Sequence, residues 1–432
     1  MKQVWILNHY ALEPNSAGGT RHFDLAANLL EHGWRATIIA ASVEHPTGRQ
    51  RLAPGERRRH EHLSGIPFLW LRTPEYKGNG MSRILNMFAY TWRVLLPASV
   101  RDLAPPDVVI GSSVHPLAAL AGLVLARRHG VPFIFEVRDL WPQTLIDFGK
   151  LREHSIAAWM LRRLEGWLYR RAARIVVLLP YAGDYIASMG IAKKKVAWIP
   201  NGVEMSSFAD SAADPACISR PDQAAPFELM YFGSHGQANG LEPLVRAMKL
   251  VAERVPAGDV RLRMIGDGPL KPQLMQLAQA LGLDNISFEA AVPKHAIPAL
   301  AAQADAFVIT VVGLPRLYRF GISMNKLFDY LAAARPVIIA SSAANNPVRD
   351  ADAGLTVPPD DPEALAQAIL SLYRMSPQER QRMGAAGRRH VEMHYSFDRL
   401  AARLAATLDG CLPDAARREA ILTFKLPTGN QE

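Results

Sequence analysis

Short apolar runs alternate with amphipathic helical stretches along nearly the whole chain, and the alternation occurs in two blocks. In the first block the runs are VWILN (4–8), RATIIAAS (35–42), DVVIGSS (107–113), PFIFEVRD (132–139), ARIVVLLP (173–180) and KVAWIP (195–200). Between them lie helical patterns such as GGTRHFDLAANLLEHG (18–33) and LAALAGLVLARRHG (117–130), each closing on a glycine stop. In the second block the runs are FELMYFG (227–233), VRLRMIGDG (260–268), ISFEAAV (286–292), AFVITVV (306–312) and GLTVPP (354–359). Strands spaced by helices join as right-handed βαβ units, and such units build parallel sheets covered on both faces. The chain is therefore predicted to be α/β, with two tandem Rossmann-like doubly wound domains. Its 432 residues are also too many for one ordinary core. The predicted boundaries are 1–205, 206–395 and a last helix and tail over 396–432. The Ala/Ser/Asp/Pro-rich segment 209–226 reads as linker or surface loop.

Charge is placed unevenly. Residues 1–205 carry 26 Lys and Arg against 16 Asp and Glu, whereas the remainder carries 23 against 24. The basic first half points either to a phosphate-rich partner or an anionic membrane surface, or to a surface made soluble by arginine. No helix-turn-helix, finger or aromatic RNA-binding pattern accompanies it, so nucleic acid is not an expected partner. Cys217 and Cys411 are the only thiols, which fits a reducing, cytoplasmic setting and gives no metal-ligand spacing. The apolar run at the N-terminus is too short for a signal peptide. The longest apolar region, 108–126, is broken by Gly-Ser-Ser and His-Pro and reads as strand, turn and helix.

In doubly wound folds ligands sit at the carboxyl ends of strands and at helix N-termini. Gly18 and Gly19 follow the first strand, where paired glycines either let an anion approach the backbone or make a plain turn. Gly233, Ser234, His235, Gly236 and Gly240 occupy the equivalent place in the second block. Neither loop has the GxGxxG spacing of a dinucleotide site. Glu136, Arg138 and Asp139 stand at a strand end, as a functional cluster or a loop brace. The stretch GISMNKLFDYLAAARPVII (321–339) opens as a loop and becomes an amphipathic helix. With Ser323 near its N-cap, Met324, Asn325 and Lys326 supply free N–H groups, and Lys326 adds a full charge suited to a diphosphate. Asp329, one turn on, suits sugar hydroxyls; the alternative is a Lys326–Asp329 surface pair.

Taken together, these segments resemble the retaining GT-B nucleotide-sugar glycosyltransferases. The resemblance rests on VAWIPNGVEMSSF (196–208), GDGP (266–269), RDADAGLTVPPDDPEALAQAI (349–369) and MGAAGRRHVEMHYSFDRLAARL (383–404). GGTRHFDLA, RDLWPQ and SMNKLFDYLAAARPVI resemble bacterial O-antigen and capsule transferases of fucosamine or fucose type. The family's Glu-x7-Glu pair falls on Gly321 and Asp329, and the two cations it tends to carry after the first strand of the second domain fall on Ser234 and Asn239.

The resemblance implies an acceptor-binding first domain, a donor-binding second domain and a last helix crossing back to the first. It implies donor contacts at Gly18, Gly19, Gly233, Ser234, His235, Gly266, Arg319, Ser323, Met324, Asn325, Lys326 and Asp329. Arg21, His115 and Arg138 become acceptor candidates. Asp139, Glu136 and Lys326 become catalytic candidates. The implied reaction is hexosyl or acetamidohexosyl transfer with retention from a nucleotide diphosphate sugar, UDP favoured over GDP, without cofactor or obligatory metal. The implied acceptor is a saccharide or lipid-linked saccharide of a bacterial surface polysaccharide. Residues 81–100, aromatic and aliphatic with flanking arginines, read as either a packed helix or a segment in a membrane interface. A nucleotide-sugar epimerase and a non-catalytic assembly subunit share this architecture. A nicotinamide-dependent oxidoreductase does too, but lacks its GxGxxG here.

Overall fold

The computed structural model describes residues 1–45, 47–76, 78, 80–113, 115–209 and 226–413. Most of the linker segment, 210–225, and the tail from 414 onward lie outside the described residues. The first domain is built from β1 (Lys2–Leu7), α1 (Arg21–Leu29), β2 (Trp34–Ala41), β3 (Arg58–Leu63), β4 (Ile66–Leu71), α2 (Met81–Leu95), α3 (Pro97–Val100), β5 (Val108–Ser112), α4 (Pro116–His129), β6 (Phe133–Val137), α5 (Gln143–Asp147), α6 (Ile156–Arg171), β7 (Arg174–Val177), α7 (Ala182–Ser188) and β8 (Val196–Trp198). The sheet order is β3-β4-β2-β1-β5-β6-β7-β8, with β1 central in register Val4↔Ala36 and Val4↔Val108. All pairs are parallel except β3–β4. β3 reads RRHEHL, with no apolar period to reveal it, and its charged side chains protect the sheet's edge.

The second domain comprises β9 (Phe227–Phe232), α8 (Glu242–Ala252), β10 (Val260–Ile265), α9 (Lys271–Ala280), β11 (Ile286–Glu289), α10 (Ile297–Ala301), β12 (Ala306–Thr310), α11 (Pro315–Tyr318), α12 (Asn325–Ala332), β13 (Val337–Ala340), α13 (Pro347–Asp350), β14 (Gly354–Val357), α14 (Pro362–Arg374) and α15 (Pro377–His394). Its sheet runs β11-β10-β9-β12-β13-β14, all parallel. Each sheet carries two buried layers, one per face. On the first sheet, α2, α4, α6 and α7 cover one face and α1 the other.

α16 (Phe397–Asp409) leaves the second domain and packs on α1, burying Phe397, Leu400, Leu404 and Leu408 against Phe23, Leu29 and Trp34. The crossing is fastened where Val203 N–H donates to Tyr395 O and Phe397 N–H to Val203 O. A second fastening comes from the loop after α11. Phe320 leaves the second domain to lie in the first domain's core, its ring 5.6 Å from Tyr185.

Candidate functional site

A cleft of about 640 Å³ opens between the domains, at the carboxyl ends of both sheets. The first domain contributes Tyr10, Leu12, Gly18 and Gly19 after β1, His45 after β2, Arg83 in the first turn of α2, and Arg138 and Asp139 after β6. The second contributes Gly233 and Ser234 after β9, Gly266 and Asp267 after β10, Lys294 after β11, and Met324, Asn325, Lys326 and Asp329 around the start of α12. The domains approach closely here. A Cβ on Gly19 would stand 2.2 Å from Asn325 Nδ2, so a larger residue would have to displace that side chain.

Lys326 dominates the second-domain wall. Its Nζ donates to Tyr231 Oη at 2.9 Å and to Asn239 Oδ1 at 2.5 Å. The ammonium also lies 4.5 Å from the centre of the Tyr231 ring. Burial pushes its pKa down to about 7. Met324 is the N-cap of α12, and no side chain caps that turn. Its N–H groups and the Lys326 charge are of the kind that an anion takes at a helix start. Asp329 is already engaged, since Lys294 Nζ bonds its two oxygens at 2.5 and 2.6 Å. A ribose reaching Asp329 would share it with Lys294.

On the opposite wall Arg83 Nε donates to Tyr10 Oη at 2.9 Å, with the guanidinium 5.1 Å from that ring's centre. His45 lies against the same ring and meets Tyr76 Oη at 2.9 Å. Burial, then the Arg83 charge, pushes His45 down to about 4, so it is neutral at pH 7. Asp139 opens onto the cleft yet is ringed by protein. That enclosure raises its carboxyl pKa, and the Arg138 charge opposes the rise.

The structure brings together Gly18, Gly19, Arg138, Asp139, Gly233, Ser234, Gly266, Met324, Asn325, Lys326 and Asp329. Six other candidates do not line the cleft. Glu136 is buried between Arg21 Nε, at 3.0 Å, and His22 Nε2, at 2.6 Å. Burial alone would raise its pKa, but His22 and Arg21 overcome that and hold it well below the carboxylate range. Arg21 is equally hidden and donates to the carbonyls of Ile199 and Pro200. This pair is therefore a brace between β6 and the crossover segment, and the acceptor and catalytic roles expected of it are corrected.

His115 is buried too. Its Nδ1 accepts from Ala118 N–H, so Nε2–H donates to His9 Nδ1 at 2.7 Å. His9 Nε2–H then donates to Asn86 Oδ1 at 2.6 Å, tying α2 to α4. His235 is fully buried, and neither ring nitrogen has a partner among the described residues. Arg319 is exposed and stacks on Phe320, its guanidinium 4.5 Å from the ring centre. Ser323 does not cap α12. Its hydroxyl accepts from Asn201 N–H at 2.8 Å, holding the crossover segment.

Gly321 explains the missing acid. Its φ is +97°, and a Cβ there would meet Asn345 Oδ1 at 2.6 Å and Pro180 of the first domain at 2.7 Å. The backbone bond Tyr181 N–H to Phe320 O joins the domains at the same place. Domain packing, not donor contact, occupies this position. Sequence reasoning overlooked Tyr10, His45, Arg83 and Lys294. They come from three loops and the first turn of α2 and share no motif. Among the described residues no group of three or more His, Cys, Asp or Glu is placed to hold a metal ion.

Residues 17–202 match the family model for a glycosyl transferase 4-like domain, and 226–375 match that for glycosyl transferases group 1. The probable glycosyltransferase WbjE of Pseudomonas aeruginosa is 24% identical over 327 residues, 73% of this chain and 76% of that protein. A GDP-mannose-dependent alpha-(1-6)-phosphatidylinositol monomannoside mannosyltransferase of Mycobacterium tuberculosis is 30% identical over 238 residues, 51% of this chain and 57% of its own. The structure of Anabaena HepE in complex with UDP and glucose superposes with a TM-score of 0.65 at 16% identity, covering 94% of this chain and 99% of the other. The shared fold is GT-B.

Proposed function

Because the chain is a glycosyltransferase of GT-B fold, its halves matching the 4-like and group 1 models, we propose that it transfers a hexosyl or acetamidohexosyl group, with retention, from a nucleotide diphosphate sugar to a hydroxyl of a lipid-linked saccharide. The setting is bacterial surface-polysaccharide assembly, with the protein in the cytoplasm, peripheral at the inner face of the membrane. The observation that carries this reading is the division of the cleft. An anion seat at Lys326 and the start of α12 faces Arg83, Arg138 and Asp139 on the other domain.

The diphosphate sits on Lys326, the α12 N-terminus and the Gly19 backbone, and Asp329 takes the ribose. Charge developing on the departing diphosphate is stabilised there without an obligatory metal. Glu136 is unavailable as a nucleophile, since it is locked in its brace. In a same-face reaction the leaving phosphate accepts the acceptor's proton, and Asp139 orients donor sugar or acceptor hydroxyl. The lipid part of the acceptor is supported by the M. tuberculosis relative, named for action on a phosphatidylinositol mannoside. UDP is favoured over GDP, although the M. tuberculosis relative is GDP-mannose-dependent by name and HepE, at 16% identity, shares the fold alone; a nucleotide panel decides.

A thermal-shift panel of UDP-, GDP-, ADP- and dTDP-sugars tests the donor. A ligand at about 100 times its Kd stabilises by roughly 2.7 kcal/mol, so the correct nucleotide raises Tm clearly and UDP-sugars should raise it most. No shift with any of the four would sink the reading. Sugar product formed from the donor without acceptor would point to the epimerase instead.

Lys326 makes donor binding pH-dependent. At pH about 8 the free lysine is largely neutral, because its pKa is near 7. A diphosphate beside it favours the charged form, so binding takes up a proton. Affinity should therefore fall as pH rises above about 7. Titration calorimetry of UDP in buffers of different ionisation enthalpy reads this uptake directly. Equal apparent enthalpies in all buffers would exclude it.

A further inference from the structure

α2, α4 and α6 cover one face of the first sheet, because each follows a parallel strand through a right-handed crossover. α4 lies between the other two. A surface helix normally buries one apolar stripe and shows a polar face to water. α2 departs from this. Asn86, Tyr90 and Val94 form its buried side, while Met81, Ile84, Leu85, Phe88 and Trp92 form a second apolar stripe that is exposed, Trp92 by 68%. The spacing of that second stripe is i, i+3, i+4, i+7, i+11, a single helical face. The first turn of α6 repeats the pattern with Ile156, Trp159 and Met160, exposed by 78%, 61% and 59%. Most of the large apolar residues exposed on the described chain sit on these two helices or, as Leu96, just beyond α2.

The charge around the stripes is mainly positive, although the exposed Glu153 just before α6 pairs with Arg162 at 3.3 Å. α2 contains Arg83 and Arg93 and no acid. α6 contains Arg162, Arg163, Arg170 and Arg171, and its single acid, Glu165, is buried beneath the hydroxyls of Tyr169 and Tyr185 at 2.7 and 2.9 Å. Apolar and aromatic residues over a net cationic flank are what an anionic lipid surface recognises. Among the described residues no helix is long and apolar enough to cross a bilayer, so this surface would lie on the membrane and not through it. The stripe of α2 begins beside Arg83, which lines the cleft.

We propose that the exposed faces of α2 and α6 together form a docking surface for an anionic lipid bilayer, which holds the cleft mouth against the membrane at the height of a lipid-linked acceptor's head group. Its purpose rests on the lipid-linked acceptor reading, but its test involves no turnover. A chain that bound bilayers and transferred nothing would overturn that reading alone.

The experiment is flotation of the whole chain, at low salt, with vesicles of phosphatidylcholine with or without phosphatidylglycerol. The wild type should float with phosphatidylglycerol vesicles and much less with phosphatidylcholine alone. Leu85→Glu with Trp92→Glu, and separately Trp159→Glu with Met160→Glu, should each weaken binding at least about tenfold, and all four together should abolish it. These side chains are exposed by more than half, so Tm should not change. The proposal is overturned if the wild type does not float, or if the variants float like the wild type. It is equally overturned if sedimentation velocity shows a dimer that the glutamates dissolve, since a second copy would then cover the face.

Discussion

Lys326→Met is expected to lower kcat for sugar transfer by roughly 10²–10³-fold while the protein stays folded. The lysine stands at the start of α12, held by Tyr231 and Asn239. Its positive charge lies where a departing diphosphate gathers negative charge, which is where a preorganised donor contributes most. Stability should move the other way. Enclosure pushes Lys326 down to about 7, against about 10.4 in an unfolded chain. Below pH 7 the folded protein carries the full cost of a charge it disfavours. Between about 7 and 10.4 the unfolded chain holds a proton that the folded one has released, so folded stability rises with pH. Methionine removes the cost, so the variant's Tm should exceed wild type at neutral pH, with the gap narrowing as pH rises. Tyr231 keeps its bond to Ser234 O in the variant, which leaves no orphaned hydroxyl. Unchanged turnover would remove Lys326 from the site. A large drop in Tm would show that its bonds to Tyr231 and Asn239 outweigh its desolvation.

The fold was legible because period and spacing carry it. Every second-domain strand lies in an apolar run, and that of β13 follows directly on the proline that ends the α12 pattern. β3 and β4 escaped the first-domain reading: RRHEHL has no alternation, whereas IPFLWL is an apolar run paired with β2, a signal that reading passed over. The second-domain half of the site was legible for a related reason. Glycines after a strand and a cation at a helix start are local signals, and Lys326 and Asp329 lie three residues apart on one helix. The first-domain half is assembled from residues distant in sequence, so Tyr10, His45 and Arg83 carry no shared mark. Charge at a strand end misled at Glu136. Such a residue can face the cleft or point back beneath the loop, and only tertiary packing decides. Asp139, three residues on, faces the cleft; Glu136 is turned onto Arg21 and His22. Gly321 was visible as a gap in a familiar pattern, but its cause, Pro180 of the other domain, was not.

Arg21→Met should cost about 3–5 kcal/mol of stability. The guanidinium is 2% exposed and serves three acceptors, Glu136 Oε1 and the carbonyls of Ile199 and Pro200. Removing it leaves a buried carboxylate facing only the His22 imidazole, whose own pKa burial lowers, and strips two carbonyls of their donor. Glu136→Gln separates the brace from a catalytic role for the same side chain. An amide of nearly the same shape still accepts from Arg21 but no longer balances its charge. If Glu136 is a brace, the Gln variant loses stability, yet the folded fraction turns over at close to the wild-type rate. A catalytic carboxylate would give the reverse, an intact melting profile and a rate lower by orders of magnitude. The double variant Arg21→Met with Glu136→Gln closes the cycle. Removing both charges together should be less damaging than the sum of the single losses, with a coupling of about 1–3 kcal/mol. Additive losses would mean that Arg21 acts through Ile199 and Pro200 alone, and that the β6 carboxylate is held by His22.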